Sequence, residues 1–268
     1  MNERPSVPRI LTVAGSDSGG GAGIQADLKT ITVLGGFGAS VVTALTAQNT
    51  VGVAGIFEVP LDFIARQFDA VASDIGADAA KTGMLVNPQI VRLIARKVVE
   101  HRIPNLVVDP VMVAKSGDPL LSEEARGAIL DALIPLATVV TPNLPEAAVL
   151  AGIPVYTPDD MRRAAERIRA SGVQHVLIKG GHLEGQAVDL LYDGCDFVEF
   201  SAERIDTQNT HGTGCAYSAA IATLLGHGHP VREAVRQAKA FITTAIRHCL
   251  SIGQGHGPVN PYAWIERR

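Results

Sequence analysis

Short apolar runs alternate with amphipathic stretches along most of this chain, and that alternation restricts its fold more than any other feature. The strand-like runs cover residues 9–14, 39–47, 77–82, 105–109, 138–141 and 175–179. Apolar residues at helical spacing cover residues 22–34, 61–73, 88–101, 122–133 and 158–171 between them. Because strands separated by helices of this length form βαβ units, the pattern predicts an α/β fold with a mostly parallel sheet and helices on both faces.

The alternation changes near the end of the chain. Residues 187–201 alternate polar and apolar side chains around Asp193 and Gly194, which predicts a β-hairpin. Two helical stretches follow, over residues 214–225 and 230–248. Since no linker, repeat or low-complexity tract interrupts the sequence, we expect one domain over residues 10–268 after an N-terminal tail of residues 1–9.

Composition excludes several classes of protein. A chain of 268 residues with a net charge of −4 and 4% aromatic residues lacks the basic, base-stacking surface of a nucleic-acid binder. The three cysteines, Cys195, Cys215 and Cys249, cannot all pair, which favours a reducing compartment. The N-terminal residues lack an apolar signal core, and no apolar run is long enough to span a bilayer. We therefore expect a cytoplasmic protein with no membrane partner.

The segment His-Gly-Thr-Gly-Cys at residues 211–215 precedes an apolar helical stretch and predicts an anion-binding site. Gly212 and Gly214 allow backbone N–H groups to approach an anion closely, and the helix directs its positive dipole end to the same point. A thiol at Cys215 is expected to favour the thiolate, because a cationic helix end lowers a cysteine pKa. This combination suits a base that deprotonates a hydroxyl for attack on a phosphoryl group.

Polar residues follow the predicted strands, at the edge where ligands bind to an open parallel sheet. The glycine-rich turn at residues 15–23 is either a close approach to a ligand or a flexible turn; it matches neither a dinucleotide fingerprint nor a P-loop. Gln48 offers a donor and an acceptor side by side, suited to an aminopyrimidine edge, although glutamines at strand ends are more often loop or cap residues.

Three later strand ends carry charged or polar groups. Asp109 either holds magnesium or caps a turn, and the polar loop at residues 113–118 lies next to it. Asn143 and Glu146 lie in a proline-flanked segment that either faces a metal–phosphate complex or starts a helix. Lys179, beside two glycines, suits a phosphate but is also consistent with a solvated side chain.

Eight segments together resemble the hydroxymethylpyrimidine/phosphomethylpyrimidine kinases of thiamine biosynthesis, in the ribokinase-like superfamily. They are AGSDSGGGAGIQADLKT (14–30), TALTAQNT (43–50), KTGML (81–85), DPVMVAKSGDPLL (109–121), TPNLPEA (141–147), KGGHL (179–183), NTHGTGC (209–215) and GPVN (257–260). The resemblance runs in order from about residue 10 to Trp264. It implies a single-domain, three-layer sandwich, usually assembled as a homodimer.

The resemblance also implies a reaction and a set of site residues. ATP phosphorylates the hydroxymethyl group of 4-amino-5-hydroxymethyl-2-methylpyrimidine, and a second transfer converts the monophosphate to the diphosphate. The implied pyrimidine-binding residues are Gly15, Asp27, Gln48 and Met84. The implied catalytic residues are Gly212, Thr213, Gly214, Cys215 and Lys179, with Cys215 as the base. Asp109 and Glu146 are implied ligands of Mg²⁺, and Asn143, Lys179 and Thr213 are implied ATP contacts.

Three other functions are alternatives to the pyrimidine kinase. Pyridoxal-type vitamin kinases act on similar alcohols. Sugar kinases fit less well, because only about a dozen residues (50–61) lie where a β-strand lid would be inserted, so we expect no large lid domain. A pyrimidine- or nucleotide-sensing module without catalysis is the alternative from another class, but the presence of Cys215, Lys179 and Asp109 argues against it.

Overall fold

The structure, a computed structural model, describes residues 7–112, 123–181 and 187–266. The strands are β1 (Arg9–Asp17), β2 (Phe37–Gln48), β3 (Val53–Glu58), β4 (Ala79–Thr82), β5 (Asn105–Val108), β6 (Val139–Val140), β7 (His175–Ile178), β8 (Ala187–Tyr192) and β9 (Phe197–Ala202). The α-helices are α1 (Gly23–Val33), α2 (Leu61–Asp74), α3 (Pro88–Glu100), α4 (Glu123–Ala128), α5 (Leu144–Ala151), α6 (Pro158–Arg169), α7 (Thr213–Gly226), α8 (Val231–Arg247) and α9 (Ala263–Glu266).

Within the described ranges, the strands form one nine-stranded sheet in the order β3-β2-β1-β4-β5-β6-β7-β8-β9. The central pairs from β2 to β7 are parallel. Antiparallel pairs close both ends, with β3 on β2 at one end and β8 and β9 beyond β7 at the other. The sheet confirms the predicted α/β fold with a mostly parallel arrangement and the predicted hairpin.

Each face of the sheet is covered by its own hydrophobic core. Alternate residues of β1 contribute to opposite faces, because side chains alternate along a strand: Leu11 and Val13 join one cluster and Ile10 the other. The first cluster packs against α2, α3, α5 and α6, and the second against α7 and α8. The predicted layers of helix, sheet and helix are confirmed.

Several elements differ from the sequence-based expectation. Strand β3 was not predicted, since its short run contains Gly55 and all of it except Val53 is exposed, so no burial pattern marks it. The predicted helix over residues 122–133 ends as α4 at Ala128 and continues as a π-helical turn over Ile129–Leu133. None of the helices in the described part of the chain is both long and apolar enough to cross a membrane.

Three isolated bridges bring loops together at the edge where the parallel strands end. Ser16 pairs with Gly23 across the glycine-rich turn, Asn143 pairs with Lys179, and His211 pairs with Pro258 just before α7. The residues singled out from the sequence therefore meet at one edge of the sheet, as expected for an open parallel sheet.

Candidate active site

The first turn of α7 forms the centre of this edge. Its N-cap, Gly212, has φ +78°, a left-handed conformation that favours glycine. A Cβ at Gly212 would lie 1.8 Å from the carbonyl oxygen of Gly21, so the turn reaches the glycine-rich loop only because this residue is glycine. The backbone N–H groups of Gly214 and Cys215 precede the first intrahelical hydrogen bond, which Ala216 makes to Gly212. These groups can bind an anion.

Thr213 is hydrogen-bonded within the turn that precedes α7. Its hydroxyl donates to the carbonyl oxygen of Thr210 over 2.7 Å, and its backbone N–H donates to the same oxygen. Because the only hydroxyl hydrogen is used inside the turn, the Thr213 side chain does not donate to an anion in this conformation. The amides of Gly214 and Cys215 lie in the same first turn, before the first intrahelical hydrogen bond.

Asp109 and Lys179 form a charged pair against this turn. Lys179 Nζ lies 3.0 Å from Asp109 Oδ1, and a Cβ at Gly214 would lie 3.5 Å from both side chains. Burial raises the pKa of Asp109, but the positive charges of Lys179 and Lys81 outweigh it and hold the pKa below its usual value. Burial lowers the pKa of Lys179, but Asp109 and Glu146 raise it above its usual value. Both groups are therefore ionised at the anion site.

Asn143 and Glu146 start a helix, which was one of the two interpretations of their segment. Asn143 Oδ1 accepts from the backbone N–H of Glu146 at 2.9 Å, and Glu146 Oε2 accepts from the N–H of Asn143 at 2.8 Å, forming a capping box at α5. The cap also places Asn143 in a bridge with Lys179. The predicted neighbouring loop at residues 113–118 lies outside the described residues.

Glu146 has a strongly shifted pKa. Burial, together with the negative charge of Asp109, raises it to about 7, although Lys179 and backbone donors oppose the shift. Asp27, Asp109 and Glu146 are three buried carboxylates beside two lysines, Lys81 and Lys179. When all five are ionised, this cluster carries one uncompensated negative charge. Carboxylate oxygens are the ligands that Mg²⁺ prefers, so Asp109 and Glu146, with the net negative charge of the cluster, fit a divalent cation.

Cys215 is not biased toward the thiolate as the sequence suggested. Burial raises the pKa of its thiol to about 11, and the charges of Asp27 and Asp109 add to that increase. Lys81 and a hydrogen bond from the backbone N–H of Gly23 oppose it without reversing it. The expectation of a lowered pKa was wrong, because it counted the helix end and left out desolvation.

Lys81 is a site residue that the sequence analysis missed. It lies fully buried in β4, with Nζ 3.0 and 3.1 Å from the two carboxylate oxygens of Asp27. Burial lowers the pKa of Lys81, but Asp27, Cys215 and Asp109 raise it above its usual value. A lysine inside an otherwise apolar strand, AAKT, was the signal that could have identified it.

Asp27 lies inside the protein next to Lys81. Its carboxylate is fully buried, bound by Lys81 and by the Thr12 hydroxyl at 2.6 Å. The role of Asp27 in binding the pyrimidine stays a prediction, and the structure shows that both of its oxygens are hydrogen-bonded within the protein. Asp27 holds the ammonium group of Lys81 near Cys215.

The remaining predicted pyrimidine residues lie at the ends of β1 and β2 and after β4. A Cβ at Gly15 would lie 2.5 Å from Met84 Cε, so these two residues are in contact. Gln48 is half-buried, and its backbone N–H and carbonyl group both bond to the Ser18 hydroxyl. These two bonds hold the backbone of Gln48 against the glycine-rich turn.

An Asp17–His211 pair, also missed from the sequence, joins this turn to α7. The Asp17 carboxylate accepts from the N–H groups of Gly19, Gly21 and Ala22 and from His211 Nε2, at distances between 2.7 and 3.1 Å. Burial raises the pKa of Asp17, but the hydrogen bonds from His211 and the backbone outweigh it, so the pKa is lowered. Asp17 therefore organises the glycine-rich turn as an ionised acceptor.

Comparison with known proteins gives consistent matches along the chain. A family model described as phosphomethylpyrimidine kinase matches residues 17–260. The hydroxymethylpyrimidine/phosphomethylpyrimidine kinase of Bacillus subtilis is 45% identical over 97% of this chain and 96% of its own length. The thiamine biosynthesis bifunctional protein ThiED of Geobacter sulfurreducens is 55% identical over 97% of this chain, which spans 54% of that longer protein. Among solved structures, an ADP complex of Bacillus subtilis pyridoxal kinase has a TM-score of 0.91 and 43% identity, covering 96% of this chain and 98% of the other.

Proposed function

This chain belongs to the phosphomethylpyrimidine kinase family, and from that premise we propose how its site carries out the reaction. The enzyme is a phosphotransferase of thiamine biosynthesis with ATP as its co-substrate, which agrees with the function that the sequence motifs implied. Its acceptors are 4-amino-5-hydroxymethyl-2-methylpyrimidine and then the monophosphate of that alcohol.

The arrangement that carries the proposal is the Asp109–Lys179 pair against the first turn of α7. The pair places the ammonium group of Lys179, whose side chain is only 15% exposed, against the turn that carries the amides of Gly214 and Cys215. Phosphoryl transfer is catalysed mainly by positioning and by stabilising charge on the transferred group. In this proposal, Lys179 and the two amides bind the γ-phosphate, and Asn143 contacts ATP from the start of α5.

In the first transfer, the hydroxymethyl oxygen of the substrate forms a bond to the γ-phosphorus. The bond from that phosphorus to the bridging β–γ oxygen breaks, and ADP leaves. The hydroxyl proton passes to the thiolate of Cys215, the base in this proposal. With a pKa of about 11, only roughly one thiol in ten thousand is ionised at pH 7, so the base is scarce at neutral pH.

The second transfer places a different demand on the same groups. Its nucleophile is an oxygen of a phosphate that already carries negative charge, so no hydroxyl proton has to be removed. Cys215 then contributes its backbone N–H to the anion site, and its thiol is not required. The two transfers should therefore respond differently to loss of the thiol.

We propose Asp109 and Glu146 as the residues that hold Mg²⁺. Asp109 pairs with Lys179, and the charges of both groups act on Glu146. Burial and the charge of Asp109 raise the pKa of Glu146 to about 7, and a bound cation would oppose that increase. When bound, Mg²⁺ would neutralise charge on the phosphates of ATP. Lys179 and the amides of α7 act on the transferred group itself.

The pyrimidine is proposed to bind beside Gly15 and Met84, with its amine and ring nitrogen paired to the Gln48 amide. Pyridoxal phosphorylation is the alternative activity, and the similarity to a pyridoxal kinase favours testing it. A pyridoxal ring has no exocyclic amine at the corresponding edge, so a Gln48-based pairing would select against it.

We propose in addition a cytoplasmic homodimer whose kinase domain spans residues 10–268 after a short N-terminal tail. The exposed apolar side chains of the β2–β3 pair, Leu45, Ile56 and Phe57, support an interface between two copies. Sedimentation of the purified protein distinguishes a dimer from a monomer.

The test of the proposed function is ATP consumption by the purified protein with each alcohol. We expect ADP to form rapidly with the aminopyrimidine alcohol and much more slowly with pyridoxal. Replacing Gln48 with Leu should weaken transition-state binding of the pyrimidine by about 2–4 kcal/mol and lower kcat/KM accordingly, because one polar edge of the pyrimidine loses its partner. Equal turnover of both alcohols, or an unchanged kcat/KM in Gln48→Leu, would overturn the assignment.

A further inference from the structure

A chain of hydrogen bonds runs around the end of β2 and begins at Asp17. This carboxylate is ionised and can only accept, so the hydrogen between it and His211 belongs to His211 Nε2, 2.9 Å away. His211 Nε2 is also the atom that faces the side chain of Gln48, at 3.5 Å from Gln48 Nε2. A ring nitrogen that carries a hydrogen has no lone pair to accept from an amide NH₂ group.

The other end of the chain is the hydroxyl of Thr46. Thr46 Oγ1 lies 3.0 Å from the carbonyl oxygen of Ser16 and 3.0 Å from Gln48 Oε1. A hydroxyl has a single hydrogen, and the Ser16 carbonyl can only accept it. Once the Thr46 hydroxyl donates to Ser16, its oxygen can only accept from Gln48. The atom of Gln48 that faces it must therefore be the nitrogen and not the oxygen.

Both ends therefore require the same orientation of the Gln48 amide. A half-turn about the last side-chain bond exchanges the oxygen and the nitrogen while their positions stay the same. The nitrogen then donates to Thr46, and the oxygen faces the Nε2–H group of His211, whose single hydrogen is shared between the Asp17 carboxylate and Gln48. We propose that His211, anchored by Asp17, is a positioning residue that sets substrate specificity by fixing the Gln48 amide in this orientation.

The surroundings of His211 keep its ring in place. Its backbone N–H donates to Gly257 and its carbonyl group accepts from Val259, so the residue is bound to the C-terminal segment on both sides. A Cβ at Gly21 would lie 2.4 Å from His211 Cδ2, which shows that the glycine-rich turn packs directly on the ring. The His211 side chain is 13% exposed.

The consequence for substrate recognition rests on the proposed function. With its orientation fixed, Gln48 presents its second N–H and its second oxygen lone pair in a set order. An acceptor–donor edge, such as a ring nitrogen beside an amine, matches that order without rotation of the amide. If the amide were free to rotate, it could also pair with edges of the reverse order, and selection for the amine would weaken.

The test compares two ligands that differ only in the amine: 4-amino-5-hydroxymethyl-2-methylpyrimidine and 5-hydroxymethyl-2-methylpyrimidine. Calorimetric titration gives the ratio of their dissociation constants for each variant. We expect His211→Leu to reduce this ratio at least tenfold. His211→Gln should retain it, because its amide supplies one N–H to Asp17 and another to Gln48. His227→Leu is the matched control, since His227 is exposed and the hydrogen bond given for its ring in the described structure is to the backbone carbonyl of Leu34.

Thr46→Val interrupts the chain at its other end and should reduce the ratio similarly, which keeps the test valid if His211→Leu fails to fold. An unchanged ratio in both variants, with a reduced ratio in Gln48→Leu, would overturn the role of His211 and leave the proposed function intact. Equal weakening of both ligands in His211→Leu and Thr46→Val would also overturn it. An unchanged ratio in Gln48→Leu would instead remove Gln48 from pyrimidine recognition, and the inference would fall with it.

Discussion

Replacing Lys81 with Met tests the buried layer beneath the site. Lys81 and Asp27 are both 0% exposed, and their charged atoms lie 3.0 Å apart. Methionine keeps most of the length of the side chain but leaves the Asp27 carboxylate without its cation. Breaking such a pair by removing one partner costs about 3–5 kcal/mol, because the remaining charge is buried and uncompensated. For a domain of this size, that loss lowers the melting temperature by roughly 6–20 °C.

The pH dependence of the Lys81→Met defect gives a second, independent readout. Burial raises the pKa of Asp27, and without Lys81 that increase is larger. A carboxylate with a raised pKa in the folded state contributes most stability when protonated, and that contribution is lost as pH rises through the folded-state pKa. The stability difference between Lys81→Met and the parent protein should therefore be smaller at pH 5 than at pH 8.

Thermal and urea unfolding measure both effects. The double variant Lys81→Met/Asp27→Asn should recover much of the lost stability, because it removes the unpaired charge. Arg66→Met, which breaks an ion pair whose side chains are 70% and 69% exposed, is the control and should melt with the parent protein. A stabilising role of Lys81 for the buried Asp27 charge is refuted if Lys81→Met unfolds within 1 °C of the parent protein, or if the double variant is no more stable than the single one.

Two further predictions concern the start of α7 and the proposed Mg²⁺ ligand Glu146. Gly212→Ala should lower kcat/KM for ATP at least a hundredfold, because its Cβ would lie 1.8 Å from the Gly21 carbonyl oxygen; Gly228→Ala, which also has a positive φ but no atom within 4 Å of its Cβ, should keep normal kinetics. Similar losses in both would show that backbone strain alone is responsible. The pKa of Glu146 is raised to about 7, and its protonation below that pH should weaken Mg²⁺ binding. The Mg²⁺ concentration that gives half-maximal activity should therefore be higher at pH 6 than at pH 8. The same titration of Glu146→Gln should be flat across this range, and an equal rise in that variant would exclude Glu146 as a ligand.

Much of the fold could be predicted from local pattern. The apolar runs of β1, β2 and β7 are typical of buried strands, and the Asp193-Gly194 pair indicated the β8–β9 hairpin. The meeting of Asp109, Lys179 and the start of α7 followed from the rule that ligands bind where parallel strands end. β3 could not be predicted in this way, because it is exposed and is defined by its antiparallel pairing with β2.

The chemistry of individual side chains was less predictable. The Lys81–Asp27 pair joins residues 54 positions apart, and no local spacing relates them. The raised pKa of Cys215 depends on burial and on the carboxylates of Asp27 in α1 and Asp109 after β5, which together outweigh the nearby helix end. Charge balance in a buried cluster is a sum over the tertiary structure, so a motif can locate the thiol but not set its protonation state.

The ionisation of Cys215 is central to the proposed reaction, and the pH dependence of the two transfers tests it directly. With a thiol pKa of about 11, the thiolate fraction increases about tenfold for each pH unit below that value. From pH 7.5 to 9.5, kcat/KM for the pyrimidine alcohol should rise nearly a hundredfold, while kcat/KM for the monophosphate should stay within about threefold. Cys215→Ala should abolish the rise, and Cys195→Ala, which removes an exposed cysteine, should retain it. A first transfer with a flat profile, or two transfers with the same slope, would contradict Cys215 as the base.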